Sequence, residues 1–257
     1  MSLLSIEAVA RHYRLPRRRL LSPAPVLRAV DGVSLSLARG EVLGIVGESG
    51  SGKSTLARLI MGFERPDAGA VRFDGHDLGT LPQAALRTLR PRLQMVFQDP
   101  FDSLDPRRPV GWSVAEPLLQ DRGMGAEARR ARAAEMLERV RLSPADMEKY
   151  PHEFSGGQRQ RIAIARALAT DPALLVADEP VAALDVSVQA HVLNLLSELQ
   201  ATLGVAMIFI SHDLAVVASI SDRIAVMQRG RIVEEGPVRQ ILTAPRAEYT
   251  RTLFAHA

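Results

Sequence analysis

The sequence predicts an α/β protein in which a mostly parallel central sheet is covered by helices on both faces. Short apolar runs rich in valine and isoleucine alternate with longer segments of helical periodicity, which is the order that produces parallel sheets. The run Leu174–Ala177 is apolar at every position, as expected of a strand covered on both faces. No strand pattern occurs from about Pro100 to Phe154, where several helical segments predict a helical insertion.

The elements follow from the apolar pattern in chain order. Strands are predicted at Val33–Leu37, Val42–Val46, Val71–Phe73, Leu93–Phe97, Leu174–Ala177, Val205–Ile210, Arg223–Met227 and Arg231–Glu234. Helices are predicted after Lys53, at Ser113–Gln120, at Glu127–Val140, after Ser143, from Ser155 to Leu168 and at Ser187–Gln200. In the last of these, Val188, Val192, Leu195 and Leu199 recur at helical spacing and share one face.

Composition excludes several classes of protein. The chain has 257 residues, 47% hydrophobic and 24% charged, which is typical of a globular protein. We expect one domain over residues 1–257, with a helical subdomain at about 100–165 and a short appendage at about 244–257. The absence of cysteine excludes disulfide scaffolds, thiolate zinc sites, cysteine nucleophiles and cysteine-ligated iron–sulfur clusters. No apolar run is long enough to span a bilayer and no signal-peptide pattern opens the chain, so we expect a cytoplasmic location.

The charge balance argues against nucleic acid as a partner. The formal net charge is only +3, and aromatic residues make up 4% of the chain, too few for a base-stacking platform. One basic cluster stands out, formed by Arg14 and the run Arg17–Arg19. It is consistent either with a solvated loop or with contact to anionic lipid headgroups.

The segment from Gly47 to Ser54 reads Gly-Glu-Ser-Gly-Ser-Gly-Lys-Ser, directly after a predicted strand and before a predicted helix. Glycines at these positions let backbone N–H groups turn inward around phosphate oxygens, and the helix N-terminus adds its dipole. Lys53 is suited to contact the β- and γ-phosphates, and the Ser54 hydroxyl to bind Mg²⁺. The predicted nucleotide-binding residues here are Gly47, Glu48, Ser49, Gly50, Ser51, Gly52, Lys53, Ser54 and Thr55.

Two carboxylates end the apolar strand at 174–177. Asp178 is a candidate Mg²⁺ ligand, and Glu179 is a candidate general base that would polarise a hydrolytic water. An apolar run followed by Asp-Glu is a weak signal by itself. Its position about 125 residues after Lys53, on the same predicted sheet, strengthens it.

The sequence Ser155-Gly156-Gly157-Gln158 opens a predicted helix. Ser155 is suited to be its N-cap, and the glycines leave the following amides accessible. A helix N-terminus of this kind is either a plain cap or a second anion site. Because the chain already has one phosphate loop, a second anion site would need a separate function.

These motifs, together with the Ala183-Leu184-Asp185 turn and Ser211-His212-Asp213, resemble the full motif set of an ABC-type ATPase subunit over about Ile6 to Leu242. The resemblance implies a P-loop NTPase fold with an N-terminal antiparallel β part and an inserted helical subdomain. It also implies ATP and Mg²⁺ as cofactors.

The resemblance further assigns roles to individual residues. Gln98 would be the glutamine at the entrance to the helical subdomain, near Mg²⁺ and the hydrolytic site, and His212 would contact the γ-phosphate. Tyr13 would stack on adenine, with a lone exposed tyrosine as the alternative interpretation. The family forms a head-to-tail dimer, so Ser155, Gly156, Gly157 and Gln158 would serve the partner's nucleotide, with Asp185 at the same interface.

Three further segments, 97–107, 150–154 and 183–190, resemble the peptide/nickel importer branch of this family. So does Glu248–Leu253, except that Ala247-Glu248 stands where the branch usually has His-Pro before the tyrosine. The branch implies uptake of peptides, or of a similar solute such as nickel, through two permease subunits and indirectly an extracytoplasmic binding protein. It also implies peripheral attachment at the cytoplasmic face of the inner membrane.

The residues leave two questions open. A non-transport ABC ATPase, such as an accessory subunit of phosphonate breakdown, fits the same motifs and is the alternative function. The second ATPase of the dimer could be an identical chain or a paralogue.

Overall fold

A computed structural model describes residues 2–16, 24–99 and 103–255 of the chain. The strands are β1 Ser2–Arg14, β2 Val26–Ala38, β3 Val42–Val46, β4 Ala68–Phe73, β5 His76–Asp77, β6 Leu93–Val96, β7 Leu174–Asp178, β8 Ala206–Ser211, β9 Arg223–Gln228 and β10 Arg231–Pro237. The helices are α1 Lys53–Ile60, α2 Gln83–Leu89, α3 Val110–Ala115, α4 Ala126–Arg139, α5 Gly156–Leu168, α6 Val186–Leu203, α7 Leu214–Ile220, α8 Val238–Thr243 and α9 Glu248–Ala255.

The chain divides into two compact units. The first comprises the described parts of residues 1–86 and 209–257, and the second comprises the described parts of 87–208. The division falls inside β8. Whether the chain is one domain with a helical subdomain at about 100–165 stays a prediction.

The first unit contains an antiparallel sheet with the strand order β2-β1-β4-β5. The apolar pattern did not predict β1. Its alternation is interrupted by register shifts around Ile6 and Val9, where Ala8 has φ 46°, so buried residues do not recur at every second position. The antiparallel N-terminal part that the family resemblance implies is confirmed.

The same unit contains β10, β9 and β3 in that order, with the end of β8 as the next neighbour of β3. β3 pairs with β9 in parallel, and β10 closes the edge as the antiparallel partner of β9. All five residues of β3 are buried, which places the end of this strand, and the loop that follows it, on a rigid support.

In the second unit β6 and β7 pair in parallel, and the first residues of β8 are the next neighbour of β7. Helices α3, α4 and α5 pack on one another around buried residues such as Val114 and Leu137. The predicted helix at Ser113–Gln120 begins earlier and tightens to a 3₁₀ turn at Glu116–Gln120. Pro117 explains the change because it lacks the N–H that an α-helical ladder needs.

Each strand that the sequence predicted lies inside a strand of the structure or has ends within two residues of one. The helix predicted after Ser143 is a 3₁₀ turn over Pro144–Glu148. Helices α2, α7 and α8 are short and were not predicted. Arg14 is exposed at the end of β1, whereas Arg17–Arg19 lie outside the described residues.

Candidate functional site

The predicted phosphate loop lies in the first unit, between β3 and α1. Gly52 is the N-cap residue of α1 with φ 109°, a conformation that L side chains rarely adopt. A Cβ at Gly52 would lie 2.0 Å from the Ala29 carbonyl oxygen, and one at Gly47 would lie 2.1 Å from the Met227 carbonyl oxygen. Both glycines are therefore required by the close approach of other backbone segments.

The turn between β9 and β10 supports this loop from one side. Arg229 and Gly230 both have positive φ, as in the type I′ turn that suits a two-residue hairpin. The Gly230 N–H donates to the Ser51 carbonyl oxygen at 2.8 Å, and the Asp31 N–H donates to the Gly230 carbonyl oxygen at 2.8 Å. Hydrogen bonds to the backbone thus hold the loop in one shape.

Lys53 is 5% exposed, and its ammonium lies over the loop. The Nζ atom donates to the carbonyl oxygens of Gly47 at 2.7 Å and Glu48 at 3.0 Å. Among the residues that the structure describes, the buried Ser51 hydroxyl has no hydrogen-bond partner. A buried cation, an unpartnered hydroxyl and the N-terminus of an eight-residue helix fit a bound phosphate chain.

Tyr13 lies on β1 in a charged cluster. Its hydroxyl donates to Glu64 at 2.6 Å, and the Arg11 guanidinium lies 4.9 Å from the ring centroid. Arg11 also donates to Glu64 at 2.9 Å. The Tyr13 hydroxyl and the Arg11 guanidinium lower the pKa of Glu64, although burial opposes them. Tyr13 is thus a fixed aromatic ring rather than a freely rotating one.

His212 follows β8 in the first unit and is exposed. The next residue, Asp213, is the N-cap of α7, and its carboxylate accepts the Val216 N–H at 3.1 Å. This cap fixes the backbone on the carboxyl-terminal side of His212.

The two predicted carboxylates lie in the second unit, at the end of β7. Asp178 is the last residue of this buried strand and is 9% exposed. Glu179 follows with φ 49°, a left-handed conformation that costs about 1–3 kcal/mol in a residue other than glycine. Backbone strain of this kind often occurs at functional sites. Gln98 lies in the same unit, two residues beyond β6, and is exposed.

The Ser155–Gln158 segment forms a full capping box at the start of α5. The Ser155 hydroxyl accepts the Gln158 N–H at 3.4 Å, and the Gln158 side chain accepts the Ser155 N–H at 2.9 Å. The N-cap prediction is confirmed. A Cβ at Gly157 would lie 2.4 Å from Val188, whereas one at Gly156 would meet only Leu184 at 3.7 Å. Packing therefore requires the second glycine but not the first.

The Asp185 turn, in the same unit, is held by a side chain from α6. The Gln189 amide nitrogen donates to the carbonyl oxygens of Val181 at 3.1 Å and Leu184 at 3.0 Å. Asp185 occupies the N-cap position of α6, yet its side chain makes no capping hydrogen bond and is exposed. The carboxylate therefore faces outward from a well-ordered turn.

Sequence reasoning missed the residues that support these motifs. Ala29, Met227 and Gly230 act through backbone atoms, which no side-chain pattern reveals. Glu64 and Arg11 are ordinary charged residues, and their role around Tyr13 depends on the pairing of β1 with β4 and its neighbours.

Two kinds of feature are absent from the described part of the chain. It contains no group of three or more histidines or carboxylates able to hold a metal ion. In the same residues, none of the helices combines the length and the apolar content that a membrane span requires. A Mg²⁺ ion bound to nucleotide needs only one or two protein ligands, because phosphates and waters supply the rest.

Comparison with known families decides the identity of this fold. The family model described as ABC transporter matches residues 30–182, more than half of the chain. The chain belongs to the ABC transporter family. A solved ABC cassette, a dimer in a post-hydrolysis state bound to ADP and Pi, has a TM-score of 0.81 and 31% identity, covering 92% of this chain and 99% of its own. This ABC ATPase therefore has the predicted fold and hydrolyses ATP.

Two relatives cover almost the whole ABC ATPase. A Brucella ovis protein, named as a peptide import ATP-binding protein, is 49% identical over 98% of this chain and 78% of its own length. The dipeptide transport ATP-binding protein DppF of Escherichia coli strain K12 is 47% identical over 98% of this chain and 75% of its own length.

Proposed function

We propose that this ABC ATPase is the ATP-hydrolysing subunit of an importer that takes up peptides or a similar small solute. One observation carries the proposal: relatives named for peptide import are 47% and 49% identical across nearly the whole chain. None of the relatives described above favours the alternative, an accessory subunit of a non-transport enzyme complex.

The nucleotide would bind along the first unit. Backbone N–H groups of residues 49–55 and the Lys53 ammonium would bind the phosphates, and the ring of Tyr13 would stack on the adenine. The glycines that backbone crowding requires and the unpartnered Ser51 hydroxyl support this assignment. Mg²⁺ would take direct oxygen ligands from Ser54 and Gln98, and Asp178 would hold it through a bound water. The hydroxyl, amide and carboxylate oxygens of these residues suit a hard cation.

Hydrolysis requires a base that accepts a proton from water. Glu179 has the appropriate carboxylate, and its strained backbone is consistent with a side chain aimed by function rather than by local preference. His212 and Gln98 would orient the γ-phosphate and the water. Both are exposed at strand ends, where side chains from a sheet reach a bound ligand.

The Ser155–Gln158 segment would bind a phosphate of the nucleotide held by another subunit. Gly156 is exposed, and a Cβ there would make only an ordinary contact with Leu184 at 3.7 Å among the described residues. No close contact with a described residue requires a glycine there, so the position has room for a phosphate from a partner subunit. A head-to-tail dimer would place Ser155–Gln158 and the outward-facing Asp185 against the partner's nucleotide.

The remaining partners are proposed from the relatives' role in import. Two transmembrane permease subunits would hold the dimer at the cytoplasmic face of the inner membrane, and an extracytoplasmic binding protein would deliver the solute to them. Selectivity would then lie outside this chain, which explains why its own motifs identify ATP rather than the solute.

The Glu179→Gln variant tests the hydrolytic assignment. The amide keeps the size of the side chain but cannot accept a proton, so kcat for ATP hydrolysis should fall by ~10²–10⁴. ATP affinity should stay within twofold, and ATP should trap a dimer detectable by light scattering. A turnover rate within twofold of wild type would remove Glu179 from the mechanism.

A transport assay tests the solute class. Cells lacking this gene should lose uptake of a labelled dipeptide, and the wild-type gene should restore it, whereas Glu179→Gln should not. Uptake of labelled nickel in the same cells is the matched comparison. Normal dipeptide uptake with impaired nickel uptake would overturn the peptide assignment.

A further inference from the structure

Helix α9 lies outside residues 30–182, and the proposed function gives it no role. It nevertheless contacts the phosphate loop. The backbone N–H of Glu48 donates to the Tyr249 hydroxyl oxygen at 3.2 Å. Both residues belong to the first unit, so this contact lies within one compact body.

The contact uses the same peptide group that Lys53 uses. The carbonyl oxygen of Gly47 accepts from Lys53 Nζ at 2.7 Å, and the N–H of the same peptide bond, on Glu48, reaches Tyr249. Because a peptide group is planar, holding its N–H also fixes the direction of its C=O. Tyr249 and Lys53 are therefore coupled through one peptide plane.

A buried carboxylate anchors the start of α9. Glu234 is 8% exposed and accepts the backbone N–H groups of Arg246 at 2.8 Å and Ala247 at 3.0 Å. Burial opposes ionisation, but the hydrogen bonds that the carboxylate accepts and the charge of Arg246 outweigh it and lower the pKa of Glu234. Thr250, next to Tyr249, is 0% exposed. The helix is therefore a docked element rather than a loose tail.

We infer that Tyr249 is a positioning residue of the nucleotide site, through which α9 holds the first peptide group of the phosphate loop. The inference rests on the proposed binding of ATP to this loop. Tyr249 acts before the nucleotide arrives, by keeping the loop and Lys53 in one arrangement. It touches no reacting atom, so it should affect ATP affinity and not the chemical step.

The Tyr249→Phe variant of the full chain removes only the hydroxyl. We expect ATP affinity, measured by titration with a fluorescent ATP analogue, to weaken by about two- to tenfold, the effect of one neutral hydrogen bond. KM for ATP should rise by a similar factor with kcat unchanged. Thr252→Val is the matched control, because the Thr252 hydroxyl donates within the helix, to the Glu248 carbonyl oxygen.

Amide hydrogen exchange provides a readout that a general loss of stability would not mimic. In Tyr249→Phe the Glu48 amide should exchange faster, while the amides of β3 should keep their wild-type rates. Thr252→Val should change neither. Unchanged Glu48 exchange, or an ATP affinity equal to or tighter than that of wild type, would overturn the inference.

Glu234→Gln tests whether the anchoring of α9 by Glu234 holds Tyr249 in place against the phosphate loop. The amide leaves only one acceptor for the two N–H groups of Arg246 and Ala247, so α9 should loosen and ATP affinity should fall. Combined with Tyr249→Phe, the two effects should not multiply, because both act through one contact. Multiplying effects would contradict the inference. Wild-type protein that binds no ATP would instead contradict the proposed function.

Discussion

The phosphate loop and the Ser155–Gln158 turn are both glycine-rich helix starts, yet they are built in opposite ways. In the loop, Gly47 and Gly52 are pressed against carbonyl oxygens of other segments, and Lys53 is buried within the chain. In the turn, an exposed capping box satisfies its own groups, and a Cβ at Gly156 would meet Leu184 only at an ordinary contact distance of 3.7 Å. The first feature is complete inside its unit, whereas the second presents a surface.

This difference teaches how to distinguish a site that a chain completes alone from one that it offers to a partner. A glycine demanded by the chain's own backbone reports on folding. A glycine that its own chain does not demand, at an exposed helix N-terminus, leaves room for a group from another molecule. Gly156 and Gly157 show the two cases side by side. Close packing of Val188 requires a glycine at 157, whereas no close contact requires one at 156.

The largest expected effect is on the ATP affinity of the isolated subunit, which should depend on the phosphate loop and not on the Ser155–Gln158 turn. Lys53→Ala removes charge-assisted hydrogen bonds worth about 1.5–3 kcal/mol, so ATP affinity of the isolated subunit should fall by about 10- to 100-fold. Ser155→Arg should leave that affinity unchanged and abolish hydrolysis by obstructing the partner. Ser155→Ala is the control for losing the cap alone, which costs about 0.5–2 kcal/mol of stability.

Mixed dimers sharpen the same test. If one subunit carries Lys53→Ala and the other Ser155→Arg, both lesions fall on one composite site and the opposite site stays wild type. The mixture should recover ATPase activity that neither variant shows alone. Loss of ATP binding by isolated Ser155→Arg would break the comparison, because it would place the turn at its own subunit's nucleotide.

A smaller effect separates the two glycines of the turn. Gly157→Ala forces a methyl group against Val188 and should lower the free energy of unfolding by about 1–3 kcal/mol. Gly156→Ala should leave it unchanged or raise it slightly, because alanine has the higher helix propensity. Urea denaturation of both variants measures this. Equal destabilisation would mean that Gly156 is also a packing residue.

The smallest expected effect is a difference in pH dependence. The pKa of Glu64 is lowered in the folded state by Tyr13 and Arg11, so its stabilising effect is present above the ordinary pKa of 4.5 and is lost as pH falls below it. Glu64→Gln should therefore cost about 1 kcal/mol or less at pH 7 and still less near pH 3.5. Gln158→Ala, which removes the uncharged side-chain half of the cap, should have the same cost at both pH values. Denaturation curves for the two variants decide this.

Much of the architecture was determined by the sequence itself. Buried strands such as β3 and β7 contain continuous apolar runs, so the local pattern was sufficient to predict them. Ser155 precedes a helical segment and has a side chain suited to capping, so the helix start was predictable as well. β1 and the short helices were missed, because a bulge shifts the alternation of β1 and a helix of six or seven residues has too few turns to show a period.

For the candidate site, too, some features were predictable from the sequence and others were not. The sequence predicted the residues that would touch ATP, since phosphate binding needs particular residue types at fixed spacing. Only the tertiary structure decided which glycines the chain itself requires, what holds Tyr13, and that Tyr249, 201 residues away, bonds to the loop. These contacts join backbone atoms and distant side chains, and such pairs come together only when the chain has folded.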